Sequence, residues 1–181
     1  MRAMNTRLSL ILLLVASAAL MRLVPHPPNF TPVAALALFA GAHLTRRLWA
    51  FVVPLAAMAL SDVALQVLYG FGWHSTLWAV YLSFAAVVAI GLGLQSRRRP
   101  GPVAAAAVAS SLLFFVVTNF AVWADGLLYP RTAEGLVTCY VAAIPFYGWT
   151  LAGDLFYTAV LFGLFAVMEY KSPARFASRP L

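Results

Sequence analysis

Six long apolar runs, separated by short segments that carry most of the charge, limit what this chain can fold into. Of its 181 residues, 64% are hydrophobic and only 9% are charged. An ordinary soluble domain is about half apolar and about a quarter charged. A chain this short cannot hide such an excess in its own core, because a domain of this size still exposes close to a third of its unfolded-chain surface. The sequence therefore predicts one all-α integral membrane domain over residues 1–181, with the lipid bilayer as its solvent.

The apolar runs also predict the number of membrane crossings. A helix needs about 20 apolar residues to cross the roughly 30 Å hydrocarbon core of a bilayer. We predict six transmembrane helices, at residues 8–24, 31–44, 48–68, 77–94, 103–123 and 150–168. The second run is short, so we expect it to extend into the preceding loop or to sit tilted among its neighbours. The apolar segment 135–147 is too short to span, and we expect it to form a short extra helix in the last external loop.

Basic residues predict the orientation of these helices, because cytoplasmic loops of membrane proteins are enriched in lysine and arginine. With both termini in the cytoplasm, the inner segments hold every Lys and Arg except Arg22 and Arg131. This pattern predicts a multi-pass membrane protein with both termini on the cytoplasmic side. It also explains the net charge of +7, so nucleic acid is not expected as a partner. One alternative stays open: the N-terminal run resembles a secretory signal, and its cleavage would leave five spans.

Polar residues gather near the predicted outer side of the membrane. Asp62 and Asp154 fall in the outer halves of the third and sixth predicted helices, and Asn119 lies near the outer end of the fifth. An ionisable residue at membrane depth costs a few kcal/mol and usually faces the bundle interior or a wet cavity. We therefore predict one outward-facing polar pocket with aromatic walls, which is the usual make-up of a small-molecule site. Its candidate substrate-binding residues are His26, Asn29, Asp62, Trp73, His74, Asn119, Trp123, Trp149, Asp154 and Tyr157.

Structural roles explain several of these residues equally well. Asp154 follows Gly153 near a predicted helix start, where it would cap the helix. Asp62 would bond a neighbouring helix and serve only packing, and the three tryptophans would form an interfacial aromatic belt. The two external histidines lie in no metal-ligand spacing, which favours a polar loop role.

Motifs for catalysis and for metal binding are missing from the sequence. A single cysteine, Cys139, excludes an intramolecular disulfide and any multi-cysteine metal site. The chain contains no phosphate-binding loop, no H-E-x-x-H and no G-x-S-x-G motif. We expect neither a cofactor, nor a metal, nor chemistry on a ligand.

Several segments resemble a family of small, uncharacterised bacterial membrane proteins described as candidate transport proteins. The resemblance covers nearly the whole chain. It rests on RLVPHPPNFTP at residues 22–32, SD at 61–62, HST at 74–76, VYLSF at 80–84, TNFAVW at 118–123, YVAAIPF at 140–146 and GDLFY at 153–157.

That family is in turn distantly similar to the S-components of energy-coupling-factor vitamin transporters. This likeness implies a six-helix protein whose first external loop closes over an outward-facing pocket. By carry-over, His26, Pro28 and Asn29 would belong to the lid. It also implies a partner, an energy-coupling transmembrane subunit with ATPases. The small-x-x-x-small motif that docks such a subunit is not clear in residues 8–24, so action alone stays an alternative.

The sequence thus favours a substrate-binding protein for uptake of a small vitamin-like molecule, and a corrinoid or another aromatic heterocycle would suit the tryptophan-rich rim. Two rival functions stay open. One is a non-catalytic assembly subunit of a larger membrane complex, and the other is a small membrane enzyme that uses the aspartates and external histidines for acid–base chemistry.

Overall fold

The structure is a computed structural model that describes residues 6–24 and 27–171, and for residues 6 and 7 it describes the backbone alone. Its helices are α1 Thr6–Met21, α2 Val33–His43, α3 Arg47–Tyr69, α4 Leu77–Gly93, α5 Pro100–Asp125 and α6 Ala133–Lys171. These described residues contain no strand, so the all-α prediction is confirmed. Three helices, α3, α5 and α6, are long and apolar enough to cross a membrane by length and composition, and the other three are shorter apolar helices.

Local sequence explains where the long helices begin and end. Gly70 and Gly126 follow α3 and α5, and each has a left-handed backbone with φ of 74°. Glycine adopts this conformation at no steric cost and therefore commonly terminates helices. Pro100 opens α5, where its missing N–H would have had no helical partner. We call the end of the bundle that carries residues 22–24, 27–32, 70–76 and 126–132 the outer end, after the predicted orientation, and the opposite end the inner end.

Helix α2 is the centre of the bundle. Every one of its 11 residues is buried, and it contacts each of the other five helices. At 1.5 Å per residue it is only about 16 Å long, which is typical of a core helix and too short for a bilayer. It does not extend into the preceding loop, because the chain turns at residues 28–32 and α2 begins at Val33. The continuous apolar run in the sequence predicted a helix here, but its central position in the bundle depends on how the other helices pack around it.

Small residues let α2 and α4 pack backbone to backbone. A Cβ added to Gly41 would lie 2.4 Å from the carbonyl oxygen of Val88, and one added to Gly91 would lie 2.4 Å from that of Leu38. Gln95 continues this seam at the inner end, where its amide donates hydrogen bonds to the carbonyl oxygens of Gly41 at 3.1 Å and Leu44 at 2.9 Å. The small residues of α2 therefore serve the interior of this bundle.

The prediction of a short external helix at 135–147, separate from a last span at 150–168, is wrong. Both segments belong to α6, which runs for 39 residues through Pro145. A proline removes one backbone hydrogen bond and clashes with the preceding turn, but neighbouring helices allow it inside apolar helices. The first half of α6 has such a neighbour, because Tyr140 donates a hydrogen bond to the carbonyl oxygen of Val116 on α5 at 2.7 Å.

Candidate functional site

At the outer end, a buried ion pair joins α1, α3 and α4. Arg22 lies just after α1, and its Nη2 is 2.7 Å from Asp62 Oδ1 on α3. Tyr81 on α4 donates a hydrogen bond of 2.7 Å to the other carboxylate oxygen of Asp62. The second terminal nitrogen of Arg22 donates to Ser61 Oγ and to the carbonyl oxygen of Met58. Asp62 therefore does bond a neighbouring helix, and both of its oxygens have partners.

Two cavities flank this ion pair. The α1–α3 cavity has a volume of about 560 Å³ and lies between the end of α1, the loop at 28–31 and the end of α3. The α3–α4 cavity, of about 260 Å³, lies between α3, the loop at 71–74 and the start of α4. Both are lined by Arg22, Leu65 and Phe71, so the two cavities adjoin at these three residues. Four predicted site residues line one or the other: Pro28, Asp62, Trp73 and His74.

Loop 70–76, part of which lines these cavities, is held in place by polar contacts. Gln66 Oε1 accepts hydrogen bonds from the backbone N–H groups of Gly72 at 2.9 Å and Trp73 at 3.3 Å. Gly72 approaches α3 so closely that a Cβ there would lie 2.2 Å from the carbonyl oxygen of Asp62. The indole of Trp73 is 66% exposed, and the ring of Phe71 is 65% exposed. These aromatic rings therefore stand at the open rim of the site on a fixed loop.

A second group of predicted residues gathers between α5 and α6. Asn29 and Asn119 line a small outer cavity of about 180 Å³, which also includes Thr118, Tyr147 and Thr150. Asn29 has a left-handed backbone with φ of 64°, a conformation that asparagine tolerates better than most residues. This α5–α6 outer cavity is too small for a drug-sized molecule, since such pockets usually have about 300–1,000 Å³.

The loop after α1 lies across the outer part of α6. Phe30 packs against Trp149, Phe156 and Tyr157, with ring centroids 6.5, 5.7 and 5.4 Å away. Gly153 permits this approach, because a Cβ there would lie 3.1 Å from the Cα of Phe30. Trp149 and Tyr157 therefore hold the loop rather than line the cavities beside Arg22. His26, the other predicted lid residue, lies outside the described residues.

Asp154 lies on α6 beneath this loop, in the seam between α5 and α6. It is 3% exposed and follows the start of α6 by many turns, so the prediction that it caps the helix is wrong. Ser111 faces its carboxyl from α5, and Thr158 lies one turn further along α6. Among the described residues, Asp154 Oδ2, Ser111 Oγ and Thr158 Oγ1 are buried and make no hydrogen bond of ordinary geometry.

A cavity of about 580 Å³ opens at the inner end, which the sequence did not predict. Thr158 and Phe162 of α6 and the buried His43 line it, with the more exposed Arg98 and Glu169 nearer its mouth. The His43 ring packs between aromatic rings, 4.4 Å from Phe165 and 5.0 Å from Phe162 by ring centroids. His43 is therefore part of the core at the inner end.

The structure thus divides the predicted single pocket into separate places. Asp62 belongs to the α1–α3–α4 network, Asn119 to the α5–α6 outer cavity and Asp154 to the α5–α6 seam. Trp123 lines none of these cavities, and its indole N–H points to the carbonyl oxygens of Pro130 and Thr132, each at 3.1 Å. No group of three or more His, Cys, Asp or Glu within the described part of the chain could hold a metal ion.

Sequence reasoning missed Tyr81, Ser111 and Thr158. Tyr81 gave no signal, since a tyrosine in an apolar helix is ordinary. Thr158 follows Asp154 by four residues, which places both on one face of a helix, and this spacing could have identified it. The role of Arg22 was also missed, although an arginine at a helix end needs a partner when it is buried.

Fold and site together define a class: an all-helical protein with membrane-length apolar helices, a buried ion pair beside two outer cavities, and an unpaired acid in its core. The chain matches the family of unknown function DUF6580 over residues 2–175 and belongs to that family. No curated protein and no solved structure matches the chain.

Proposed function

We propose that this protein is a multi-pass protein of the bacterial inner membrane that binds a small vitamin-like molecule at its outer end for uptake. The observation that carries the proposal is the pair of cavities around Arg22, of about 560 and 260 Å³, which collects four of the predicted site residues. Cavities of this size, with apolar and aromatic walls and a few polar groups, are the usual form of small-molecule sites.

The membrane placement rests on helix length and charge. Helices α3, α5 and α6 are long enough to cross alone, and α1 and α4, at 16 and 17 residues, are close to that length. Helix α2 would lie at membrane depth inside the protein, shielded from lipid by the other helices. Among the residues whose side chains are described, all but two of the basic ones lie at or near the inner end, which favours its location in the cytoplasm: Arg46, Arg47, Arg97, Arg98, Arg99 and Lys171.

The chemistry of the Arg22 site indicates what kind of molecule would bind. A guanidinium has five N–H donors, and the contacts of Arg22 with Met58, Ser61 and Asp62 leave some of them for a ligand. Tyr69, Phe71 and Trp73 add flat apolar surfaces at the rim. We therefore favour a single aromatic heterocycle with carbonyl or carboxylate oxygens over a much larger corrinoid.

The loop at residues 27–32 is the natural cover of this site. Pro28 and Thr31 line the α1–α3 cavity, while Phe30 is anchored on α6. Movement of this loop would open or close the cavity without disturbing the ion pair beneath it. An energy-coupling subunit with ATPases would have to dock on the inner half.

A ligand screen tests the proposal. Purified protein, washed free of bound small molecules, would be melted in the presence of individual water-soluble vitamins and related aromatic heterocycles. We expect one chemical class to raise the melting temperature saturably. Phe71→Ala, which removes an exposed ring shared by both cavities, should weaken that binding about tenfold, a loss typical of a stacked aromatic contact.

Phe120→Ala is the matched control, because Phe120 is an exposed ring on α5 that packs against Trp123 at a tilt of 51° and lines none of these cavities. It should leave the binding unchanged. If no compound raises the melting temperature, or if Phe71→Ala binds as tightly as the native protein, capture at the Arg22 site is wrong.

A further inference from the structure

Within the described part of the chain, the α5–α6 seam contains three buried oxygen atoms that make no hydrogen bond of ordinary geometry, although Ser111 faces the Asp154 carboxyl and Thr158 lines the inner cavity. They are Asp154 Oδ2, Ser111 Oγ and Thr158 Oγ1, unpaired among the described residues and carried by side chains that are 3%, 0% and 3% exposed. Buried polar groups are nearly always hydrogen-bonded, and an acid at membrane depth is costly unless something compensates its charge. The neighbouring Ser110 shows how a buried helical serine is usually satisfied, since its hydroxyl donates a hydrogen bond to the Ala106 carbonyl oxygen at 2.7 Å.

The position of these atoms along the two helices is as informative as their burial. On α6, Asp154 lies one turn from Thr150, which lines the outer cavity, and one turn from Thr158, which lines the inner cavity. On α5, Ser111 lies between Ala104 of the inner cavity and Phe114 of the outer cavity. One helical turn is about 5.4 Å, so the three oxygens occupy the short barrier between two cavities on one seam.

We propose that Asp154, Ser111 and Thr158 form a binding site for a small monovalent cation, of which Na⁺ is the representative. An all-oxygen donor set of carboxylate and hydroxyl groups suits hard cations rather than zinc or copper. The site has one acidic group, so a single positive charge balances it, whereas a divalent ion would leave an excess charge buried in apolar surroundings. Water or backbone carbonyl oxygens would complete the coordination.

The cavities give such an ion a route to the site. Thr158 contributes to the wall of the inner cavity, so an ion in that cavity needs to move only one helical turn to reach the carboxylate. The mouth of that cavity contains both Arg98 and Glu169, which means that charges of both signs face it. On the outer side, Asn29, Thr118 and Asn119 supply amide and hydroxyl groups that suit a partly hydrated cation.

This inference goes beyond the proposed function, because the cation site shares no residue with the cavities around Arg22. A cation that binds midway along the seam between an outer and an inner cavity offers a source of energy for uptake other than an ATPase. The two sites can be tested separately, since cation binding needs no organic ligand.

Equilibrium binding of ²²Na⁺ to the purified full-length protein in detergent tests the proposal, with choline chloride holding the ionic strength constant. We expect saturable binding near one ion per chain, displaced by unlabelled Na⁺ but not by choline. Ser111→Ala and Thr158→Val should each weaken binding about tenfold, as expected for loss of one ligand to a charged group. Asp154→Asn should abolish it.

Ser110→Ala is the matched control, since it deletes a buried hydroxyl next to Ser111 whose hydrogen bond is already satisfied. It should bind ²²Na⁺ like the native protein. The serine and threonine variants keep the proposal testable if Asp154→Asn does not fold. No saturable binding by the native protein, or equal binding by the Ser110 and Ser111 variants, would show that the oxygens hold only water.

Discussion

Breaking the ion pair between Arg22 and Asp62 should destabilise the protein, and removing the arginine should cost more than removing the aspartate. Replacing Arg22 with methionine keeps an apolar stem of similar shape but leaves the Asp62 carboxylate buried, with Tyr81 as its remaining partner. Removing one member of a buried pair typically costs about 3–5 kcal/mol. For a chain of this size, about 1 kcal/mol corresponds to about 2–4 °C in melting temperature, so we expect a fall of about 6–20 °C.

Removing the charge of Asp62 instead of that of Arg22 should cost less stability. In Asp62→Asn the Arg22 side chain keeps Ser61 and the Met58 carbonyl as acceptors, and it lies at the outer end of the bundle, where it can reach water. The double variant removes both charges and should recover part of the stability that Arg22→Met loses. A melting series of the native protein, both single variants and the double variant in one detergent measures this coupling.

Arg131→Met is the control, because this exposed arginine makes one hydrogen bond of 2.9 Å to the carbonyl oxygen of Asp125. It should lower the melting temperature by no more than a few degrees. If the fall in melting temperature of the double variant equals the sum of the falls of the two single variants, the two side chains are not coupled and our account of this network is wrong.

Two further predictions concern packing and orientation. Gly91→Ala should lower the melting temperature strongly, because its Cβ would overlap the Leu38 carbonyl. The control Gly93→Ala adds a Cβ that meets no atom within 4 Å, so it should be neutral or slightly stabilising. Equal effects of the two substitutions would contradict the close α2–α4 contact. In a Cys139→Ala background, Leu127→Cys should react with a membrane-impermeant maleimide added to intact spheroplasts, and Ser96→Cys only after lysis; the opposite pattern would reverse the predicted sidedness.

Much of the fold follows from local sequence. The predicted helix at 48–68 is α3, Arg47–Tyr69, and the one at 77–94 is α4, Leu77–Gly93. These bounds were predictable because an apolar run of fixed length ends at arginine or at a glycine-containing turn. The continuity of α6 was missed, since the apolar run at 135–147 is too short to span by itself and was treated apart from the run at 150–168. Packing against α5, which includes the Tyr140 hydrogen bond to the Val116 carbonyl, is not visible in the local sequence.

The site was predicted less well than the fold, for a physical reason. Asp62 and Asp154 stood out in the sequence because an acid in an apolar run is a local signal, and both are buried. Which side chain faces each acid depends on how helices rotate and pack, and this is not local information. Arg22 and Asp62 are 40 positions apart along the chain, and Ser111 and Asp154 are 43 apart. The residues predicted to line a single pocket therefore lie at separate sites in the structure.

Native mass spectrometry of the protein, purified gently from its own membranes, tests the central claim most directly. The native protein should retain a vitamin-sized molecule, and Leu65→Trp, which fills the wall shared by both outer cavities, should lose it. Val63→Trp, a change of similar size at an exposed position on the same helix, should retain it. An empty native protein that co-purifies with stable partner subunits would contradict capture and favour an assembly role.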